Sequence, residues 1–377
     1  MMRQAIGDLF TLAKGRKAPE VFLESVPGVE RYIQIEDLRS DDELKYANDP
    51  KGTIVESTDI CIAWDGANAG TVGYGLSGLI GSTIARLRPV DERSIFTPYV
   101  ARFLQNQFSV LNQSTTGATI PHVSRDKLMG LSLILPGYDE QCRIAAILDK
   151  ADAIRVKRYE TIKESDKYLQ AVFYDSFGDP VTNSKGQPEK PVAQLATVTT
   201  GNTPSRQNLA YYGGHIEWIK SDNINTPSHL LTEASEGLSL EGLRVARSAP
   251  AGSTLVTCIA GSPSCIGNAA FTDRKVSFNQ QINALTPKPG IEPEFIYAVT
   301  LYSKARIQSA STNGMKGMVS KGALEQVRFI LPPHEQREKF IGIFHKLMTL
   351  RKRLDSSARD ADALYSSLAQ RAFQGQL

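Results

Sequence analysis

The sequence predicts a mixed α/β (α+β) fold. Two pseudo-symmetric, β-rich domains are expected, separated by two long helices that form an antiparallel coiled coil. Three observations predict it. The chain repeats itself, each half opens with short strands and turns, and each half closes on a long helical stripe. The expected segments are a first domain over 1–138, a spacer helix over 139–178, a second domain over 179–333 and a C-terminal spacer helix over 334–377.

The repeat comes first, because a missed repeat misassigns the whole fold. Adding 196 to Val123-Ser124, Leu128 and Ile134-Leu135-Pro136 gives Val319-Ser320, Leu324 and Ile330-Leu331-Pro332. The same offset pairs Ile147 with Ile343, Arg155 with Arg351 and Phe177 with Phe373. A second offset of 186 pairs Leu9, Thr11 and Gly15 with Leu195, Thr197 and Gly201, and residues 32–38 with 218–224. The change of offset marks an insertion between the two zones.

The first zone of each half reads as β-structure. Residues 52–64 are rich in β-branched side chains and end at the turn Asp65-Gly66, and residues 252–260 end at Gly261-Ser262-Pro263. Short helices are expected near 97–108 and 293–309.

The second zone is helical. Phe340, Ile343, Leu347, Leu350, Leu354, Ser357, Ala361, Leu364 and Leu368 alternate at spacings of three and four, the a/d pattern of a coiled coil. The earlier copy carries Ile144, Ile147, Ala151, Ile154, Ile162, Leu169 and Val172, with a stutter near Arg158. Pro136 and Pro332-Pro333 precede the helices, and Gly178-Asp179-Pro180 stops the first. Each helix would be about 58 Å long. Pairing with each other suits such length better than packing within one domain, and a two-fold relation of the halves makes the pair antiparallel.

Composition narrows the function. The chain has 377 residues, 41% hydrophobic and 22% charged, which suits two globular domains. No apolar run approaches the roughly 18 residues of a membrane helix, and Met1–Asp8 lacks a signal-peptide core. A cytoplasmic protein without membrane partners is expected. Net charge is +3. Residues 1–186 hold 22 basic against 25 acidic residues, and residues 187–377 hold 21 against 15. The excess of positive charge therefore lies in the second half.

No catalytic signature is present. Phosphate-binding and dinucleotide-binding glycine loops are missing, as are the methyl-donor loop and the Asn/Asp-Pro-Pro-aromatic tetrad of adenine methyltransferases. The five histidines do not fall at metal-ligand spacing. The four cysteines, Cys61, Cys142, Cys258 and Cys265, form neither a disulfide framework nor a zinc pattern. A binding protein with no catalytic residue, metal or cofactor of its own is expected.

One family has this order of parts. A β-rich domain leads to Leu135-Pro-Gly-Tyr-Asp-Glu-Gln-Cys-Arg-Ile144 and a long helix. A second β-rich domain leads to Leu331-Pro-Pro-His-Glu-Gln-Arg-Glu-Lys-Phe340 and another long helix, closing on Leu368-Ala-Gln-Arg-Ala-Phe-Gln-Gly-Gln-Leu377. With residues 62–70 and the loop 116–120, this resembles the specificity subunit of type I restriction-modification systems over the whole chain. Departures are Gly137, where a second proline is common, and His334, where a leucine is usual.

The resemblance implies a non-catalytic subunit of an adenine-N6 DNA methyltransferase and type I endonuclease complex. Two target recognition domains would each read one half of an asymmetric, bipartite site in double-stranded DNA. The helices would space the domains and dock two methyltransferase (modification) subunits, and restriction/translocase subunits would join them. S-adenosylmethionine, ATP and Mg2+ would be held by those partners. A helix of about 58 Å caps the separation at roughly 17 base pairs. Half-sites one helical turn apart, about 34–36 Å, would present one face of the duplex.

Base reading requires Arg, Lys, Asn or Gln on loops of a rigid scaffold. In the second domain the candidates are Arg206, Lys220, Asn223, Asn279, Gln280, Gln281 and Lys316. Asn279-Gln280-Gln281 suits adenine, or else forms a turn closed by local hydrogen bonds. Lys316, between Gly314 and Gly317, suits a phosphate or is simply solvated. In the first domain the candidates are Arg16, Lys17, Arg39, Lys45 and Asn68. Tyr74 and Trp64 suit stacking on or wedging near DNA, with core packing the favoured alternative for Trp64. The coiled-coil set is Ile144, Ile147, Ile154, Ile162, Leu169, Phe340, Ile343, Leu347, Leu350, Leu354, Leu364 and Leu368. Two other classes fit parts of the sequence: a coiled-coil adaptor without DNA readout, and a stand-alone methyltransferase or nuclease.

Overall fold

Arg3–Ala5 pairs antiparallel with Ser132–Ile134, Arg3 opposite Ile134, and Glu189–Pro191 pairs antiparallel with Arg328–Ile330, Glu189 opposite Ile330. The second register is the first with 186 added to one strand and 196 to the other, so the two sequence offsets meet in one ladder. The computed structural model describes residues 3–112, 122–312 and 317–377. The chain divides into two compact units, Met1–Glu160 with Asp355–Leu377, and Thr161–Leu354.

In the first unit a four-stranded antiparallel sheet runs in the order Phe10–Lys14, Ile84–Pro89, Ile60–Ala63, Val72–Tyr74. Its β-branched and aliphatic residues are buried against the helix Thr97–Asn106. A second sheet joins Glu30–Ile33 in parallel to Gly78–Ile80. The helix Arg125–Gly130 is capped by Ser124, whose hydroxyl accepts from the Lys127 amide.

The second unit repeats the plan. Its four-stranded sheet runs Ala196–Thr200, Ile282–Pro287, Thr254–Thr257, Ala269–Phe271. Tyr212–Ile219 lies parallel to Val276–Phe278. The helices Pro293–Tyr302 and Lys304–Ser309 fall where the sequence places them. Ser320 caps Lys321–Gln326 as Ser124 caps its counterpart.

The long helices run Tyr138–Phe177 and His334–Phe373. They pair antiparallel in each unit, since partner numbers fall as residue numbers rise. In the first unit Arg155 lies over the Tyr365 ring at 4.9 Å, and the Tyr159 hydroxyl donates to Asp362 at 2.6 Å. In the second, Arg351 donates to Asp166, and Phe173 and Phe177 meet Phe340 at 5.5 and 5.4 Å.

The face of the second helix differs from the expected stripe. Phe340 is buried against Phe173 and Phe177, Leu347, Leu354 and Leu368 are half-buried, and Ala361 is buried. Between them the inward positions are Phe344, Arg351, Ala358 and Tyr365, each one residue beyond the predicted Ile343, Leu350, Ser357 and Leu364, and Phe344 meets Phe271 and Tyr297 of its own unit. Ile343, Leu350 and Leu364 are 36%, 46% and 51% exposed. The predicted stripe followed the largest apolar residues. The buried face takes small Ala358, Ala361, Ala369 and Ala372 and an arginine matched by Asp166. On the first helix Ile144, Ala151, Ile162 and Leu169 are buried and Ile147 is half-buried, but Ile154 is exposed, and the next residue, Arg155, lies over the Tyr365 ring instead.

Candidate nucleic-acid interface

The second unit gathers most of its predicted residues around one turn. After Phe278 the chain reverses through Asn279–Ile282, closed by the Ile282 amide donating to the Asn279 carbonyl at 3.2 Å. Gly201 passes so close that a Cβ there would lie 2.1 Å from the Asn279 carbonyl oxygen, so only glycine fits. The next residue, Asn202, ties the region together. Its carbonyl accepts from the Trp218 indole at 3.2 Å, and its side chain accepts from the Arg247 amide at 2.7 Å.

On this frame Arg206 stacks 4.5 Å from the Tyr212 ring centroid and 5.0 Å from that of Trp218. Lys220 lies 5.6 Å from the Trp218 centroid. One carboxylate oxygen of Glu236 accepts from both cations, Arg206 at 2.8 Å and Lys220 at 3.1 Å. Arg206 first and Lys220 second hold the Glu236 carboxyl below the ordinary carboxylate range. Thr203 donates to Gln280, and Ser221 donates to Gln281 at 3.4 Å. The side-chain nitrogens of Gln280 and Gln281 have no partner among the described residues, so two donors, two cations and an aromatic platform share one surface.

Asn223 and Asn279 belong to the frame of this site. Asn223 accepts from the Lys220 amide at 3.0 Å and donates to the Glu233 carbonyl at 2.9 Å. Asn279 is 7% exposed, accepts from the Gln281 amide at 3.0 Å and donates to its side chain at 3.1 Å. Lys316 and the loop 116–120 lie outside the described residues.

The first unit disperses its candidates. Arg16 pairs with Asp49 at 3.0 Å, Lys17 is exposed, and Lys45 donates to Gln34 at 2.7 Å. Arg39 donates to Asn68 at 3.1 Å and Thr71 at 3.0 Å, at the rim of a cleft of about 560 Å3 that Arg102, Arg155 and Tyr365 also line. Trp64 is buried in the core beside Lys14. The Tyr74 hydroxyl donates to Asp149 at 3.1 Å, within the first unit.

Three features went unread in the sequence. Gln34 is the counterpart of Lys220 by the offset of 186, which the paired segments 32–38 and 218–224 already contained. The turn Gly81-Ser82-Thr83 matches Asn279-Gln280-Gln281, since the Gly81 amide donates to Ile33 as that of Asn279 donates to Ile219. Gly15 faces this turn as Gly201 faces the other, 2.2 Å from a carbonyl oxygen if given a Cβ. An insertion hid that match by moving the offset to 198. Glu236 had no sequence signal, because it reaches its cations across 30 and 16 residues.

Among the described residues no group of three His, Cys, Asp or Glu side chains is placed to hold a metal. Burial pushes the Cys258 thiol up to about 11, away from reactivity. No helix among the described residues is long and apolar enough to cross a membrane.

A scaffold built twice, with different polar side chains on equivalent turns and half of a helix pair in each copy, defines a duplicated recognition protein. The chain belongs to the family of the type I restriction modification DNA specificity domain, whose model matches residues 1–164 and 187–356. It is 32% identical over 148 residues to the type I restriction enzyme MjaVIII specificity subunit of Methanocaldococcus jannaschii, covering 39% of this chain and 35% of that protein. It is 26% identical over 180 residues to the HindI specificity subunit of Haemophilus influenzae, covering 44% and 37%. The matched stretches thus span little more than a third of these relatives. The fold resembles the type I restriction-modification S subunit from M. genitalium, with a TM-score of 0.58 at 14% identity over 99% of this chain and 96% of that one. It also resembles a chain from a structure of type I system assembly and conformational transition, with a TM-score of 0.52 at 16% identity over 100% and 98%.

Proposed function

We propose that this chain is the DNA sequence-specificity subunit of a type I restriction-modification complex, reading one half of an asymmetric bipartite site with each unit. The observation that carries the reading is one turn built on two identical frames with unlike side chains, Ser82-Thr83 in one and Gln280-Gln281 in the other. Glutamine amides suit adenine edges in the major groove, and short hydroxyls are less selective. Arg206 and Lys220, and in the first unit Arg16, Lys17 and Arg39, would hold phosphates.

The chain carries out no chemistry in this reading. Methyltransferase subunits would bring S-adenosylmethionine, and restriction/translocase subunits would bring ATP and Mg2+, all in the cytoplasm. The exposed apolar residues of the helices support docking. They are Tyr138, Ile154, Val156, Tyr159 and Leu364 on the first unit, and Tyr168, Ile343 and Leu350 on the second, a density of exposed apolar groups that favours a protein partner.

The test is a map of adenine methylation in cells expressing the chain with its cognate methyltransferase, against the methyltransferase alone. Modification at a split motif only when the chain is present is the expected result. Methylation independent of the chain, or at one continuous motif, would overturn the two-unit reading in favour of an adaptor.

A further inference from the structure

Arg206 and Lys220 present an arrangement ready for a phosphate, and a carboxylate already occupies it. The guanidinium is stacked on two rings, and the ammonium shares one of them. Trp218 is fixed by its indole bond to Asn202 and by its amide, which donates to the Glu236 carbonyl at 3.0 Å. The cations are therefore placed before any ligand arrives. The Glu236 side chain, 37% exposed, bridges them through a single oxygen. Carboxylate and phosphodiester oxygens make the same charge-assisted bonds to such donors.

We propose that Glu236 is a specificity-determining residue: it stands in for a backbone phosphate between Arg206 and Lys220 and withholds both cations from DNA lacking the target sequence. This rests on the function proposed above.

An exposed bridge of this kind is weak, so a phosphate can replace it once Gln280 and Gln281 have engaged matching bases. Off target, displacing the carboxylate gains nothing, because one anion replaces another. The low protonation affinity of Glu236 keeps it charged near neutral pH. The first unit has Gln34 in place of Lys220, facing Lys45 rather than a carboxylate. The device sits in the half of the chain that holds the excess of basic residues, where indiscriminate phosphate binding would be strongest.

The experiment uses the complex assembled with its methyltransferase subunits. Binding to target and non-target duplexes is measured over a salt series, the target being taken from the methylation map. Glu236→Gln should raise non-target affinity several-fold and steepen its log–log salt dependence by about 0.9 for each phosphate newly engaged. Target affinity should change less, so the ratio of the two falls. The double variant Arg206→Ala, Lys220→Ala should weaken binding to both duplexes. If the double variant weakens binding but Glu236→Gln leaves the non-target affinity and slope unchanged, or lowers them, the inference is wrong and the reading of the site stands. If the double variant changes neither duplex, this surface does not meet DNA and both fall together.

Discussion

Asp37 and Asn223, 186 positions apart, close the same turn in their respective units. The Asp37 carboxylate accepts from the Gln34 amide at 2.7 Å, and the Asn223 side-chain oxygen accepts from the Lys220 amide at 3.0 Å. Each turn ends the strand that carries Tyr32 or Trp218. The residue that looks like a base reader in one copy is thus a frame residue in both.

Asn223→Ala should therefore act on stability and not on base choice. Loss of such a cap costs about 1–2 kcal/mol, read as a fall in the denaturant midpoint, while the methylated motif is unchanged. Asn223→Asp keeps the acceptor for the Lys220 amide but loses the donor to the Glu233 carbonyl, so it should recover only part of the loss. A changed motif in Asn223→Ala would return this residue to the reading surface.

Gln280→Ala with Gln281→Ala should relax one half-site. A bidentate amide contact is worth about 1–3 kcal/mol of discrimination, so competition binding against single-base variants should flatten at one or two positions in that half alone. Grafting Gln-Gln onto the turn of the first unit, as Ser82→Gln with Thr83→Gln, should alter the other half. If both halves changed with either variant, independent reading by the two units would be refuted.

The helices separate two kinds of apolar residue. Phe340 is 1% exposed between Phe173 and Phe177, and Phe340→Ala should destabilise by about 3–5 kcal/mol. Leu350→Ser and Leu364→Ser lie on the open face, and each should shift stability by only about 0.5 kcal/mol. Their effect should appear in co-purification of the methyltransferase, which should fall. Normal assembly in the double serine variant would remove this face from the docking surface.

Acid should loosen the second unit through Glu217. Arg274 holds its carboxyl below the ordinary range by a hydrogen bond, and the Ala234 amide adds to this at 2.8 Å. A carboxyl depressed in the fold stabilises fully above its unfolded value of about 4.3. That contribution is lost as pH falls through the lower folded value. Unfolding followed between pH 6 and 3 should show a shallower acid dependence in Glu217→Gln than in the parent, with the parent more stable at neutral pH. Parallel curves would mean that the pair is idle.

The duplication was legible because both long-range pairings keep a fixed register, so matches such as Leu9 with Leu195 survive in the chain as spacings. The limits of the long helices were legible because Pro136, Pro332-Pro333 and Gly178-Asp179-Pro180 write them locally, whereas the helices capped by Ser124 and Ser320 went unread. The face of the second helix was not. Periodicity weights Leu350 and Ile343 by size, whereas the buried face is chosen by fit, and Arg351 is buried where Asp166 and the Pro227 carbonyl receive it. The cation bridge at Glu236 was invisible for a similar reason, since a bridge between distant loops leaves no spacing to find.

The short ladders at Arg3–Ala5 and Glu189–Pro191 have a further consequence. In each unit the first strand is hydrogen-bonded to the last one, which runs directly into the long helix. If each unit reads half of a site as proposed, a domain held by such a clasp would act as an exchangeable cassette. Splicing in a foreign one requires only that its two ends form a matching ladder, however different the loops between them. New addresses can then arise by recombination at two fixed joints, without redesign of the helices on which the rest of the machine would assemble.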